Sequence, residues 1–242
     1  MASHNCGTDA LTLGNLIILA TGVWAISPSS VNASACLWSS VKYSVESKIL
    51  GTYKTNATGN FSNVSRLETN EDEVYIIVLG ESSSRAHFGL YDYYRATTPN
   101  LNALKNELQV YNDVISPHPH SISSITKLLT LGNFEHPDKI GEGSIIQLAN
   151  KTGFETFWLS NQRPIGIYES MVTKIALSST KSKFLTTVHG VQNKVMDEKI
   201  LPELEAFFKD DSSSKKLIIV HLMGTHLSYA NRYPENFNVF KD

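Results

Sequence analysis

Three kinds of side chain in this sequence could share one reaction: the Glu81 carboxylate, the Ser121 hydroxyl, and the imidazoles of His118, His120, His221 and His226. Glu81 stands in VLGESSSR, directly after the apolar run VYII. A strand end needs only a turn residue, and Gly80 would serve. An acid, three serines and Arg85 in that place read as part of a site. Ser121 stands in SPHPHSISSITKLLT, where two prolines and two histidines precede a helical stretch. Its hydroxyl then falls at or near a helix N-terminus, where open N–H groups and the helix dipole favour a phosphate or a serine alkoxide. Serine also caps helices, and on local sequence alone capping is the commoner role. Carboxylate and imidazole are zinc ligands, and a catalytic zinc takes three protein ligands and leaves one position open. No HExxH spacing occurs, so spacing alone defines no ligand set. His221 lies inside an apolar run and reads as a core residue; His226, just past Gly224, is the better candidate.

The elements that must position these groups alternate. Residues 74–79 form a continuous apolar strand of the type buried on both faces. Thr98 as N-cap and Pro99 at the first position open a helix through NLNALKNEL. Residues 109–115 read as a strand and 121–131 as a helix. Residues 145–151 read as a helix ending at Gly153, and 154–159 as a strand. Residues 196–208 are amphipathic at helical spacing, and 217–222 are a fully apolar strand. Alternating strands and helices predict an α/β fold with a largely parallel sheet flanked by helices. Ligands of such sheets sit beyond the carboxyl ends of the strands. Three of those ends carry polar residues: 81–85; Ser160, Asn161 and Gln162; and 221–226.

Composition excludes some classes. With 21 basic and 23 acidic residues and a formal net charge of −2, no nucleic-acid footprint is present. The two cysteines, Cys6 and Cys36, precede the main body, which therefore has no disulfide framework. Residues 1–40 form an apolar N-terminal segment without a charge between Ala10 and Val41. It reads as a membrane-anchor remnant, with a buried helix and a cleaved signal as alternatives. Residues 41–72 are a polar, sequon-rich linker, and 73–242 the catalytic body.

VYIIVLGESSSRAHFGLYDYYRATTPNL resembles the opening motif of the bacterial phosphoethanolamine transferases, membrane-anchored members of the alkaline phosphatase and sulfatase superfamily. The match is Gly80, Glu81, Ser82, Ser84, Arg85, Leu90, Tyr91, Tyr93, Arg95, Thr97, Thr98 and Pro99. FWLSNQ and HLMGTHLSYANRYPENF resemble further family segments in the same order. The resemblance implies an alkaline-phosphatase-like core and a zinc cofactor. It makes Glu81 and Ser121 metal ligands, Ser121 the nucleophile, and His226 a contact to the substrate phosphate or a second metal. Ser123, Ser124 and Thr126 are the fallback nucleophiles if the register slips. Serine replaces the family's usual threonine and keeps the hydroxyl. Leu227-Ser228 replaces the common Gly-Pro, which weakens inference about the substrate.

The implied reaction moves phosphoethanolamine from phosphatidylethanolamine to lipopolysaccharide or a periplasmic glycan through a covalent serine ester, at a bacterial inner membrane with the catalytic domain facing the periplasm. The family completes its zinc site with an Asp-His pair, and no Asp-His dipeptide occurs here. The sequence is therefore expected to be incomplete at the C-terminus, with an exposed sheet edge and impaired activity. Two alternatives stand beside this reading. One is a phosphodiesterase, phosphoglycerol transferase or sulfatase, although no CxPxR-like segment for a sulfatase is present. The other is a non-catalytic remnant or binding module.

Overall fold

The computed structural model describes residues 55–67, 71–164, 171–186 and 194–240, with isolated helical positions at 37, 40, 41, 44 and 48. The chain divides into two units, Met1–Ile49 and Leu50–Asp242; the sheet and the site belong to the second. The apolar N-terminal segment lies almost wholly outside the described residues. Among those described, no helix is long and apolar enough to cross a membrane.

Among the described residues, four parallel strands form one sheet: β1 (Glu73–Leu79), β2 (Glu155–Ser160), β3 (Lys181–Phe184) and β4 (Lys215–His221), in the order β1-β4-β2-β3. Parallel neighbours need long crossovers, supplied by α1 (Pro99–Ala103), α2 (Ser121–Leu129), α3 (Ile145–Lys151), α4 (Met171–Ala176) and α5 (Ile200–Phe208). Side chains alternate between the faces of a strand, and the core divides accordingly. Trp158, Leu217 and Ile219 pack with Ile125, Leu129, Ile146 and Ile175 under α2, α3 and α4. Phe157, Leu159, Ile218 and Val220 pack with Ile200, Leu204 and Phe207 under α5. Helices thus cover the sheet on two faces, as the alternating pattern predicts.

Several expectations change on the structure. β1 is an edge strand among the described residues, pairing only with β4. It is not buried on both faces: Ile76 is 42% and Val78 59% exposed. Residues 109–115 form no strand, and two of their carbonyls are taken by side chains. The Tyr91 hydroxyl donates to Tyr111 O at 3.1 Å, and Arg85 donates to Asn112 O. Thr98 stands at the N-cap of α1 without capping it, since its hydroxyl accepts the Gly89 N–H at 3.0 Å. The expected helix over 196–208 opens with a 3-10 turn, Asp197–Lys199, before α5. α4 and β3 were not legible as elements. α3 follows its signals: Ser144 and Gln147 form a reciprocal capping box, and Gly153 follows at φ +86°. Residues 56 and 57, in the sequon-rich segment, dock on α3: Gln147 donates to Asn56 O and Asn150 to Ala57 O, both at 2.6 Å.

Candidate active site

The strand register brings the carboxyl ends into one row. Leu79 pairs with His221, His221 with Ser160, and Ser160 with Phe184. The loops leaving this row are locked together. Leu222 N–H donates to Leu79 O at 3.0 Å, and Thr225 N–H to Glu81 O at 3.0 Å. The Thr225 hydroxyl donates to Ser82 O at 2.7 Å. Gly224 sits at φ +55°, and a Cβ there would meet Glu81 O at 2.5 Å, so only glycine fits this close approach. Glu81 is thereby held by its own backbone, with 5% of its surface exposed.

Its carboxylate meets the predicted nucleophile. Ser121 Oγ donates to Glu81 Oε1 at 2.6 Å, and Ser82 Oγ donates to the same oxygen at 2.9 Å. Ser121 is the first residue of α2, with His120 at the N-cap. Its hydroxyl is thus turned to the carboxylate and does not cap the helix. The other hydroxyls of the segment are placed elsewhere. Ser124 Oγ pairs with Ser116 Oγ at 2.7 Å, and Thr126 Oγ1 donates back to Ile122 O at 2.7 Å from the core. Ser121 alone of Ser121, Ser123, Ser124 and Thr126 lines the cleft.

That cleft has a volume of about 370 Å³. Its polar wall is Glu81, Ser121, Ser160, Gln162, Arg163, Thr173 and the imidazoles of His120, His221 and His226. Ile122, Ile125, Val172 and Phe184 make an apolar wall. His118 does not line it; His118 Nδ1 accepts the His120 N–H at 3.1 Å. His221, read from sequence as a core residue, is both: it is 7% exposed, yet it borders the cleft. Its Nδ1 lies 3.4 Å from Ser160 Oγ, and its buried Nε2 has no hydrogen-bond partner among the described residues. Burial lowers its pKa from 6.5 to about 4, against the opposing charges of Glu81 and Asp197, so the ring is neutral at pH 7.

Two site oxygens, Glu81 Oε1 and Ser121 Oγ, converge as zinc donors would, beside a neutral imidazole. Among the described residues, however, no three His, Cys, Asp or Glu side chains gather as a metal cluster. Glu81 and Ser121 supply oxygens of a kind that zinc accepts, and the described residues by themselves complete no zinc site. Arg85, grouped with the site from sequence, serves the scaffold: it binds Asn112 O and lies 5.6 Å from the Tyr91 ring centroid. Sequence reasoning missed Arg163 in the polar wall and Asp197, whose carboxylate accepts from Met223 N–H, Gly224 N–H and Asn161 Nδ2, each at 2.8 Å. No local pattern marks Asp197, because its three partners come from two distant strand ends.

Residues 73–242 match the sulfatase family. Phosphoethanolamine transferase EptC of Escherichia coli (strain K12) is 32% identical over 191 residues, covering 77% of this chain and 33% of that protein. The crystal structure of the C-terminal periplasmic domain of EptC from Escherichia coli in complex with Zn is similar with a TM-score of 0.67. Identity there is 33%, over 72% of this chain and 50% of that one. The integral membrane protein lipooligosaccharide phosphoethanolamine transferase A from Neisseria meningitidis shares the fold with a TM-score of 0.64 and 18% identity, over 95% of this chain and 44% of that one. The chain therefore spans 33% of the curated EptC and half of its solved periplasmic domain. The alkaline-phosphatase-like architecture expected from the motifs is the one these domains share. By its matched residues and its relatives, the chain belongs to the sulfatase family, alongside proteins named phosphoethanolamine transferases.

Proposed function

We propose that this chain is part of a zinc-dependent transferase that moves phosphoethanolamine from phosphatidylethanolamine to a lipopolysaccharide or periplasmic glycan acceptor through an ester on Ser121. The observation that carries this reading is the 2.6 Å contact between Ser121 Oγ and Glu81 Oε1, at the N-terminus of a nine-residue helix and inside a cleft. Zinc in the solved EptC domain and that protein's name support the metal and the transferred group. That solved domain is periplasmic, which supports a periplasmic site here.

Glu81 and Ser121 would hold the zinc, which when bound lowers the pKa of the serine hydroxyl. The remaining chemistry belongs to the chain. Glu81 accepts the hydroxyl hydrogen, so electron density on Oγ rises as the proton departs. The first turn of α2 presents backbone N–H groups to the phosphoryl oxygens, and His226, in the same polar wall, contacts them. As the Oγ–P bond forms, the P–O bond to diacylglycerol breaks and the departing oxygen takes a proton. An acceptor hydroxyl then attacks the phosphorus, loses its proton, and returns Ser121 to the free hydroxyl. The apolar wall keeps competing water from the ester.

A second reading has its own support. Among the described residues no three His, Cys, Asp or Glu side chains gather as a metal cluster, and a non-catalytic remnant would look the same. Vesicles of phosphatidylethanolamine separate the readings when mixed with the native gene product and zinc. Transfer predicts diacylglycerol release that Ser121→Ala abolishes. Release from phosphatidylglycerol vesicles instead would assign a phosphoglycerol transferase. No release together with no bound zinc would establish the remnant.

A further inference from the structure

We propose that Asp197 is the positioning residue of this site: its carboxylate latches the loop after β4 and thereby sets Glu81 and His226 against Ser121. The latch is built from both ends. Asp197 opens the 3-10 turn that leads into α5, so its backbone is fixed by that helix. Its two oxygens accept the successive N–H groups of Met223 and Gly224, each at 2.8 Å. Successive backbone N–H groups pointing one way bind an anion far better than a neutral acceptor. Asn161 completes the latch from the end of β2. Its Nδ2 donates to Asp197 Oδ1 at 2.8 Å, and its Oδ1 accepts the Thr186 hydroxyl at 3.0 Å.

The consequence for the site follows from close packing. Gly224 leaves no room between itself and the Glu81 backbone. Thr225 N–H donates to Glu81 O one residue later, and His226 borders the cleft directly after it. A displacement of the loop therefore moves the Glu81 carboxylate and the His226 ring together, while Ser121 stays on α2. Asp197 does not line the cleft, so it acts through these residues and touches no substrate.

The catalytic part of this inference rests on the proposed transfer; the structural part does not. The test is Asp197→Asn in the native gene product, which puts an amide NH₂ against donors that need an acceptor. Hydrogen exchange resolved to single amides should accelerate at Met223 and Gly224 by at least about tenfold, the loss of one charge-assisted hydrogen bond. The amides of Leu217 to Val220 in β4 should keep wild-type rates. Formation of the Ser121 ester from phosphatidylethanolamine vesicles should slow by at least about tenfold. Unchanged loop exchange, equal acceleration throughout β4, or faster loop exchange with an unchanged ester rate would each overturn the positioning role. If Asp197→Asn does not fold, the wild-type protein still decides, because Met223 and Gly224 amides exchanging as fast as an open loop would rule out the latch. Absence of any ester in the wild type, with the loop amides protected, would overturn the transfer and leave the latch standing.

Discussion

β1 and β4 are neighbouring parallel strands of seven residues, EVYIIVL and KKLIIVH, and they are treated very differently by the fold. Every residue of β4 is buried, whereas β1 exposes Val74, Tyr75, Ile76 and Val78. An apolar run therefore specifies a strand, but its place in the sheet order decides whether that strand is covered. The difference vanishes at the carboxyl ends. Leu79, Glu81 and His221 are all buried, held by the hydrogen bonds that join the loops after β1 and β4. The fold is consolidated where the candidate chemistry lies and open along one flank.

The largest expected effect is at the centre of β4. Ile219→Ala empties a fully buried position between Trp158 and the helices, at a cost of about 2–5 kcal/mol, measured by denaturant unfolding of the native gene product. His221, at the end of the same strand, should make stability depend on pH. Its folded-state pKa of about 4 lies below 6.5, so the unfolded chain binds the extra proton first. The stabilisation is whole above pH about 6.5 and declines by roughly 3 kcal/mol as pH falls toward 4. A pH series of unfolding midpoints should be steeper in the wild type than in His221→Gln, and equal slopes would refute the buried neutral ring.

Gly224→Ala tests the junction between the two strand ends. A methyl group at φ +55° facing Glu81 O should cost about 1–3 kcal/mol and slow ester formation on Ser121. A variant that is as stable and as active as the wild type would show that the loops are not locked. The smallest effect belongs to β1: Ile76→Ala should cost about 1 kcal/mol or less, because that side chain is already 42% exposed. A cost matching that of Ile219→Ala would mean that β1 is covered in the native protein and that its contrast with β4 does not hold there.

Much of this organisation was legible before the structure. The runs at β1, β2 and β4 announce strands because buried parallel strands are continuously apolar, and SPHPHS announces the start of α2. Glu81, Ser121 and His226 follow directly on such signals, but the family resemblance is what singles them out, because on local sequence Ser121 reads first as a cap. β3 was hidden because KSKF alternates charge with little apolar content and sits at the other edge. Residues 109–115 misled because their apolar content resembles a strand, while Tyr91 and Arg85, far away in sequence, bind the carbonyls of Tyr111 and Asn112. His221 misled in another way, since core burial and a place on the cleft wall are compatible at a strand end. Asp197 could not be found at all from its neighbours in sequence, because its role exists only where the ends of β2 and β4 meet.

The most direct test of the central claim is to locate the covalent intermediate. The native gene product, loaded with zinc, would be mixed with phosphatidylethanolamine vesicles, quenched, digested and mapped by mass spectrometry. The account predicts a phosphoethanolamine ester on Ser121, absent from Ser121→Ala and diminished in Glu81→Gln. An ester on Ser123, Ser124 or Thr126, or none on any residue, would contradict it.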